Sequence, residues 1–479
     1  MALQQNTTFN GGEGNLSVAG QVAGSFSLTT EGQVTLSGSN TYTGATTVSA
    51  GILNLQNATG LGTTAGSTTV SNGATLQLQN GITVGAEGLS LNGGAASGQT
   101  GALVNVSGTN TYGGAVTVAA SSSISAASGS VLNLTGGVVK NGTVATFNGG
   151  GTINVNTVAI SGASANSDLV IDGTTVNVDV ASTYNGPTFI RNSGTLNANV
   201  TDALPTANGR TAVTFDGTGT SVLTLGAAQS VASLTAAGAA TVTLNANTLT
   251  VGTASGSTNF AGSIGGTGGL IKDGASTQVL SGTNTYTGTT TVSAGTLEIG
   301  TGGTLTGTSN VTVNTGGTLL LSGTGNQVNN AATVTLAGGT IQTNGASSIN
   351  ETVGALTLSS TSTIDFGTLA GGNTLSFGDS SAAPWSGALN VWNWTSGTDH
   401  LFFGPSSSGL SGAQLAQINL YSDSGTTLLG AASLGAGGEI SAVPEPSSVF
   451  VAASLLALIG WRERRWFLRC PEARKTGSR

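Results

Sequence analysis

Residues 281–299 read Ser-Gly-Thr-Asn-Thr-Tyr-Thr-Gly-Thr-Thr-Thr-Val-Ser-Ala-Gly-Thr-Leu-Glu-Ile. Near its end Leu297 and Ile299 alternate with Thr296 and Glu298. A period of two means an extended strand with one buried face. A Val, a short turn of small residues containing Gly, then alternating apolar positions form one unit, here Val292-Ser293-Ala294-Gly295-Thr296-Leu297-Glu298-Ile299. The unit returns at 48–55, 70–78 and 313–321. Val48 precedes Val70 by 22 residues, and Val292 precedes Val313 by 21. Self-similarity at this spacing marks a solenoid, in which each repeat buries its apolar face by stacking on its neighbours. No stretch of residues 1–380 sustains a helical period. Short strands and Gly turns in so short a repeat predict one coil of a parallel β-helix. Roughly 17 coils fit in residues 1–380 and, at ~4.8 Å per coil, they extend on the order of 80 Å.

The composition agrees. Of 479 residues 78 are Gly and only 6% are charged. Thr and Val favour strands, while Gly, Asn and Ser favour turns. Residues 1–461 carry four basic side chains, Lys140, Arg191, Arg210 and Lys272, against 17 acidic ones. So few cations neutralise few phosphates, which argues against nucleic acid as a partner. Seven of the eleven basic residues lie in 462–479. The sole cysteine, Cys470, excludes an intrachain disulfide and a Cys-based metal site. No phosphate loop, zinc spacing or EF-hand loop is present, and neither a metal site nor a cofactor is expected.

A longer motif punctuates the repeats. It reads Ser37-Gly38-Ser39-Asn40-Thr41-Tyr42-Thr43-Gly44, returns at 107–114 and 281–288, and has a degraded copy, Ala181-Ser182-Thr183-Tyr184-Asn185-Gly186. The full copy at 281–299 resembles the autotransporter-associated β-strand repeat, also called the passenger-associated transport repeat. The resemblance implies a surface protein with a β-helical passenger. Tyr42, Tyr112 and Tyr286 are expected to pack at coil corners, the rival being a platform on which a ligand stacks. Residues 384–430 hold larger aromatics: Trp385, Trp392, Trp394, Phe402 and Phe403. They predict a cap closing the solenoid end, since a last coil exposes unpaired edges. A short helix is expected over 412–418.

The tail differs from everything before it. Val443-Pro444-Glu445-Pro446 is followed by an apolar run that includes Val449, Phe450, Val451, Leu455, Leu456, Leu458, Ile459 and Trp461. Arg462, Arg464 and Arg465 abut it. The two prolines fix an extended, accessible segment. The run is somewhat shorter than the ~17–25 residues of a comfortable span, a mismatch that flanking arginines relax by snorkelling. The positive-inside bias puts the C-terminus in the cytoplasm. The order of the three parts resembles the PEP-CTERM sorting signal. That resemblance implies processing near Pro444-Glu445-Pro446 by an exosortase-type membrane protease, then release or attachment at the surface. It also implies the export machinery, and extracellular polysaccharide, as partners. Residues 1–6 lack the basic and apolar regions of a secretion signal, so a start further upstream is expected.

Catalytic sets are sparse. A glycoside hydrolase needs two carboxylates about 5–9.5 Å apart. Asp168 and Asp172, on one strand, would sit ~13 Å apart. His400 is the sole histidine available to a Ser-His-Asp arrangement.

The expected fold is all-β: a single-stranded parallel β-helix, a pectin-lyase-like solenoid, with a C-terminal cap and one C-terminal hydrophobic helix. The division is 1–380 β-helical repeats, 381–442 cap and linker, 443–465 sorting signal and helix, and 466–479 basic cytoplasmic tail. The expected function is that of an exported structural or adhesive surface protein without catalytic activity, anchored by a single C-terminal pass before reaching the surface or exterior. A polysaccharide-active β-helix enzyme and an autotransporter passenger are the alternatives.

Overall fold

In the turn that begins at Thr109, alternation produces three short strands separated by corners: Thr109–Tyr112, Val116–Ala120 and Ser122–Ala126. The next turn starts at Val131–Leu134, which lies parallel to Thr109–Tyr112 in register, Tyr112 against Leu134. The computed structural model repeats this plan for about 18 turns. It describes residues 1–443 apart from 208, 254, 344–347 and 369–371. Stacked strands form three faces. The first runs from Thr7–Val18 to Ile418–Tyr421 with every pairing parallel. Val116–Ala120 belongs to the second face and Thr109–Tyr112 to the third.

The interior is built by register. On the first face Leu53 lies opposite Leu76, which lies opposite Leu103. The column continues through Ile124, Phe147, Ile171, Ile190 and Phe215. Every member is buried, each contributing about 2 kcal/mol relative to exposure. A one-residue slip would turn the whole column outward.

The corners explain the Ser-Gly-x-Asn-Thr-Tyr motif. In two copies its Asn reaches both neighbouring turns. Asn40 accepts from Val22 N (2.8 Å) and donates to Gly60 O (2.7 Å). Asn284 accepts from Ile264 N (3.1 Å) and donates to Thr304 O (3.1 Å). Buried backbone groups at corners, where the ladder is interrupted, thus gain partners. Its Tyr points inward: Tyr42, Tyr112, Tyr184 and Tyr286 are wholly buried. They are packed corner aromatics, and a ligand cannot stack on them. Three hydroxyls meet the threonine four residues on: Tyr42 with Thr46 (2.6 Å), Tyr184 with Thr188 (2.6 Å) and Tyr286 with Thr290 (2.7 Å). In the remaining copy that position is Val116, and the Tyr112 hydroxyl has no partner among the described residues. Val116→Thr is therefore expected to stabilise the chain by about 1 kcal/mol, the net worth of one buried hydrogen bond. A rise in urea midpoint measures it; an unchanged or lower midpoint refutes the pairing.

Parallel stacking does not end at 380. Leu389–Trp392 and Ile418–Tyr421 add two further rungs to the first face, and His400–Phe403 extends the third. Of the aromatics expected to form a cap, Trp394 and Phe403 instead fill the interior of these turns, Trp385 packs half-buried against it, and Trp392 and Phe402 take the outward parity. Phe377 stacks on Phe403 at 5.2 Å, and Phe366 meets Trp394 edge-on at 5.3 Å. Closure comes later, from Leu428–Leu434 and Ile440–Val443, which pair antiparallel beside Ile418–Tyr421. The short helix covers Gly412–Leu415 only, begun by a capping box between Ser411 and Gln414. It ends early because Ile418 already pairs with Leu389. The expected hydrophobic helix lies outside the described residues, among which no helix is long and apolar enough to cross a membrane.

Candidate functional site

Of the predicted sorting segment only Val443 is described. It is exposed at the end of Ile440–Val443. Pro444, Glu445, Pro446, the apolar run from Val449 to Trp461, and Arg462, Arg464 and Arg465 lie outside the described residues.

The catalytic candidates occupy structural places. Asp172 accepts from Asn192 Nδ2 (2.7 Å) and lies opposite Arg191 in the next rung. His400 Nδ1 lies 2.5 Å from Glu439 Oε1, and its ring stacks beside Phe402. No hydroxyl among the described residues bonds to that ring. All four basic residues of the body are engaged. Arg191 pairs with Asp216 (2.9 Å) and Arg210 with Asp273 (3.1 Å). Lys140 and Lys272 are wholly buried. Lys140 Nζ donates to Ser167 O and sits over the Tyr184 ring at 4.0 Å. Lys272 Nζ donates to the carbonyls of Asp273 (2.7 Å) and Gly274 (2.8 Å). Burial pulls the two ammonium groups down, to about 7 and about 8 respectively. Two carboxyls are buried as well. Glu87 accepts from Thr68 Oγ1 (2.5 Å), and Glu351 accepts from the backbone of Gln327 (2.7 Å) and Val328 (3.0 Å). Loss of hydration pushes both up to about 7. These groups lie in the interior of the stack. Among the described residues no cluster of three or more His, Cys, Asp or Glu stands ready for a metal.

What the outer surface does offer is rows of side-chain amides. On the third face Asn133, Asn154, Asn177 and Asn197 lie in register on successive rungs. Each Nδ2 donates to the Oδ1 before it, at 2.8, 2.7 and 2.7 Å. On the first face, near the N-terminal end, Asn54 Nδ2 donates to Gln77 Oε1 (2.9 Å) and Gln77 Nε2 to Gln99 Oε1 (2.7 Å). Gln56 and Gln79 form a second, looser row beside it (3.4 Å). These rows line a groove of about 390 Å³ that reaches back to Asn15 and Gln33. An amide holds two donor hydrogens and two acceptor lone pairs, so each retains bonding capacity toward solvent. The rows were legible: Leu132-Asn133-Leu134, Ile153-Asn154-Val155, Val176-Asn177-Val178 and Leu196-Asn197-Ala198 repeat at the coil spacing.

Comparison with known families gives one match. The passenger-associated-transport-repeat family model matches residues 31–55, 179–198 and 270–299. These segments hold the copies that begin at Ser37 and Ser281, and the degraded copy around Tyr184. The copy at 107–114, where Val116 replaces the motif threonine, lies outside them. No curated protein and no solved structure matches the chain. A β-solenoid bearing these repeats fits a secreted repeat protein or an autotransporter passenger, and the repeats point to an exported surface protein.

Proposed function

We propose that the chain is a structural or adhesive rod of the cell surface or extracellular matrix, delivered by the export machinery and sorted by an exosortase-type membrane protease acting on its tail. The observation that carries this reading is an unbroken parallel stack whose interior is filled and whose basic side chains are all engaged. A rod of this kind presents surface rather than a reaction centre, and we assign it no catalytic activity. The tail supports the sorting step through its Pro444-Glu445-Pro446 segment, apolar run and arginine cluster. The apolar run then serves as a transient single-pass anchor.

Glu445→Ala in the full chain is expected to abolish tail processing, giving a heavier product retained in the membrane fraction. Mass spectrometry and fractionation of cells carrying each form measure it. Identical mass and location for the two forms would refute the sorting step. Turnover of polysaccharide by the purified chain would favour the enzyme reading, and retention of activity by an Asp168→Ala, Asp172→Ala double variant would place that activity elsewhere.

A further inference from the structure

We propose that the amide-lined groove on the first face binds a strand of neutral polysaccharide. Seven of its ten lining residues carry side-chain amides, among them Gln33, Asn54, Gln56, Gln77 and Gln79, and none carries a charge. Its volume of about 390 Å³ falls within the usual range of ligand sites, ~300–1,000 Å³.

The chemistry selects among occupants. A peptide adds to a solenoid through main-chain bonds at a sheet edge. The groove floor is a sheet face: Gly51–Leu55 is paired on one side with Leu28–Leu36 and on the other with Ala74–Leu78. No backbone is left there for a peptide to use. An anionic polymer needs cations. The body's basic residues begin at Lys140, several turns away, and are buried or paired, while Glu31 stands on the same strand as Gln33. A neutral polymer dense in hydroxyls, each both donor and acceptor, is the complement of side-chain amides. The amide row is already polarised in one direction, from Asn54 through Gln77 to Gln99. At its origin Asn54 Oδ1 is buried beneath the row and has no donor among the described residues. Because rungs repeat every ~4.8 Å, the site offers the same group at regular steps, which suits a repeating polymer over a single small molecule.

The proposal rests on the surface reading above, and binding by purified protein tests it apart from location. The experiment uses the full chain with fluorescently labelled hydroxyethylcellulose and dextran as neutral probes and alginate as the anionic probe, read by anisotropy. At least one neutral probe is expected to bind, and alginate is not. The Gln77→Ala, Gln79→Ala double variant is expected to bind about tenfold more weakly, the equivalent of one to two hydrogen bonds. An Asn154→Ala, Asn177→Ala variant on the third face is expected to bind as the parent does. Should the first variant melt early, Gln79→Glu supplies the same test with the row's length kept. Binding of neither neutral probe, stronger binding of alginate, or undiminished affinity in the groove variants overturns the proposal. A chain that binds a neutral glucan but is never exported overturns the surface reading alone.

Discussion

Gly288→Ala is expected to destabilise the solenoid by about 3 kcal/mol, at the upper end of ordinary overpacking costs. A Cβ at Gly288 would lie 2.2 Å from Gly268 O and 2.5 Å from Gly268 C, both backbone atoms of the preceding turn. Neither can rotate away. The turns would have to separate, and the bonds that Asn284 and Tyr286 make at the same corner would lengthen. The matching Gly114 leaves still less room, its added Cβ 1.7 Å from Glu87 O. Gly238→Ala is the control, since no atom lies within 4 Å of its added Cβ; its effect is expected within ~0.5 kcal/mol. Urea midpoints compare the two, with hydrogen exchange in Thr290–Val292 as the local readout. Equal midpoints would mean that the corner does not stack as described.

The second large effect is an inverted pH profile. Most proteins are most stable between about pH 5 and 8. Here Glu87 and Glu351 are raised from 4.5 to about 7. A raised carboxyl gives stability that is full below its unfolded value and lost as pH rises through about 7. Lys140 and Lys272 are lowered from 10.5 to about 7 and about 8. A lowered ammonium gives stability that is present above its unfolded value and lost as pH falls through those values. Both pairs are therefore least favourable near pH 7–8. The chain is expected to unfold more easily there than at about pH 5 or 9.5, by on the order of 2 kcal/mol for each group that changes charge. The window stops short of pH 10 because the four buried tyrosines, raised by burial, weaken the fold beyond it. Glu351→Gln should shallow the acidic limb while leaving the alkaline limb in place. A maximum at neutral pH in the parent chain would sink the assignment.

Much of this architecture was legible. Period-two alternation in Leu297 and Ile299, with the 21- and 22-residue spacing, led directly to stacked coils. Even the buried cations follow the rule, because Val138 and Lys140, like Leu270 and Lys272, occupy the same inward parity. A lysine in an apolar parity reads as a surface residue unless the parity is trusted over the residue type. Three features were not legible. The corner role of Asn40 and Asn284 depends on which backbone atoms the neighbouring turns bring alongside, and that register is set some 20 residues away. The continuation of the stack beyond 380 is hidden by Trp394 and Phe403, large aromatics that read as a cap. There they form pairs, Phe403 stacked on Phe377 and Trp394 edge-on to Phe366. The groove needs side chains from turns 23 and 45 residues apart, such as Asn54, Gln77 and Gln99, and no local pattern announces it.

Three strands per turn also govern how such a gene can change length. Excising a whole revolution, such as the 22 positions from Thr109 up to Val131, returns every later side chain to the same compass bearing. Losing a third of one would rotate all that follows. Viable size variants should therefore differ in whole revolutions, like floors removed from a tower, each shortening the object by ~4.8 Å.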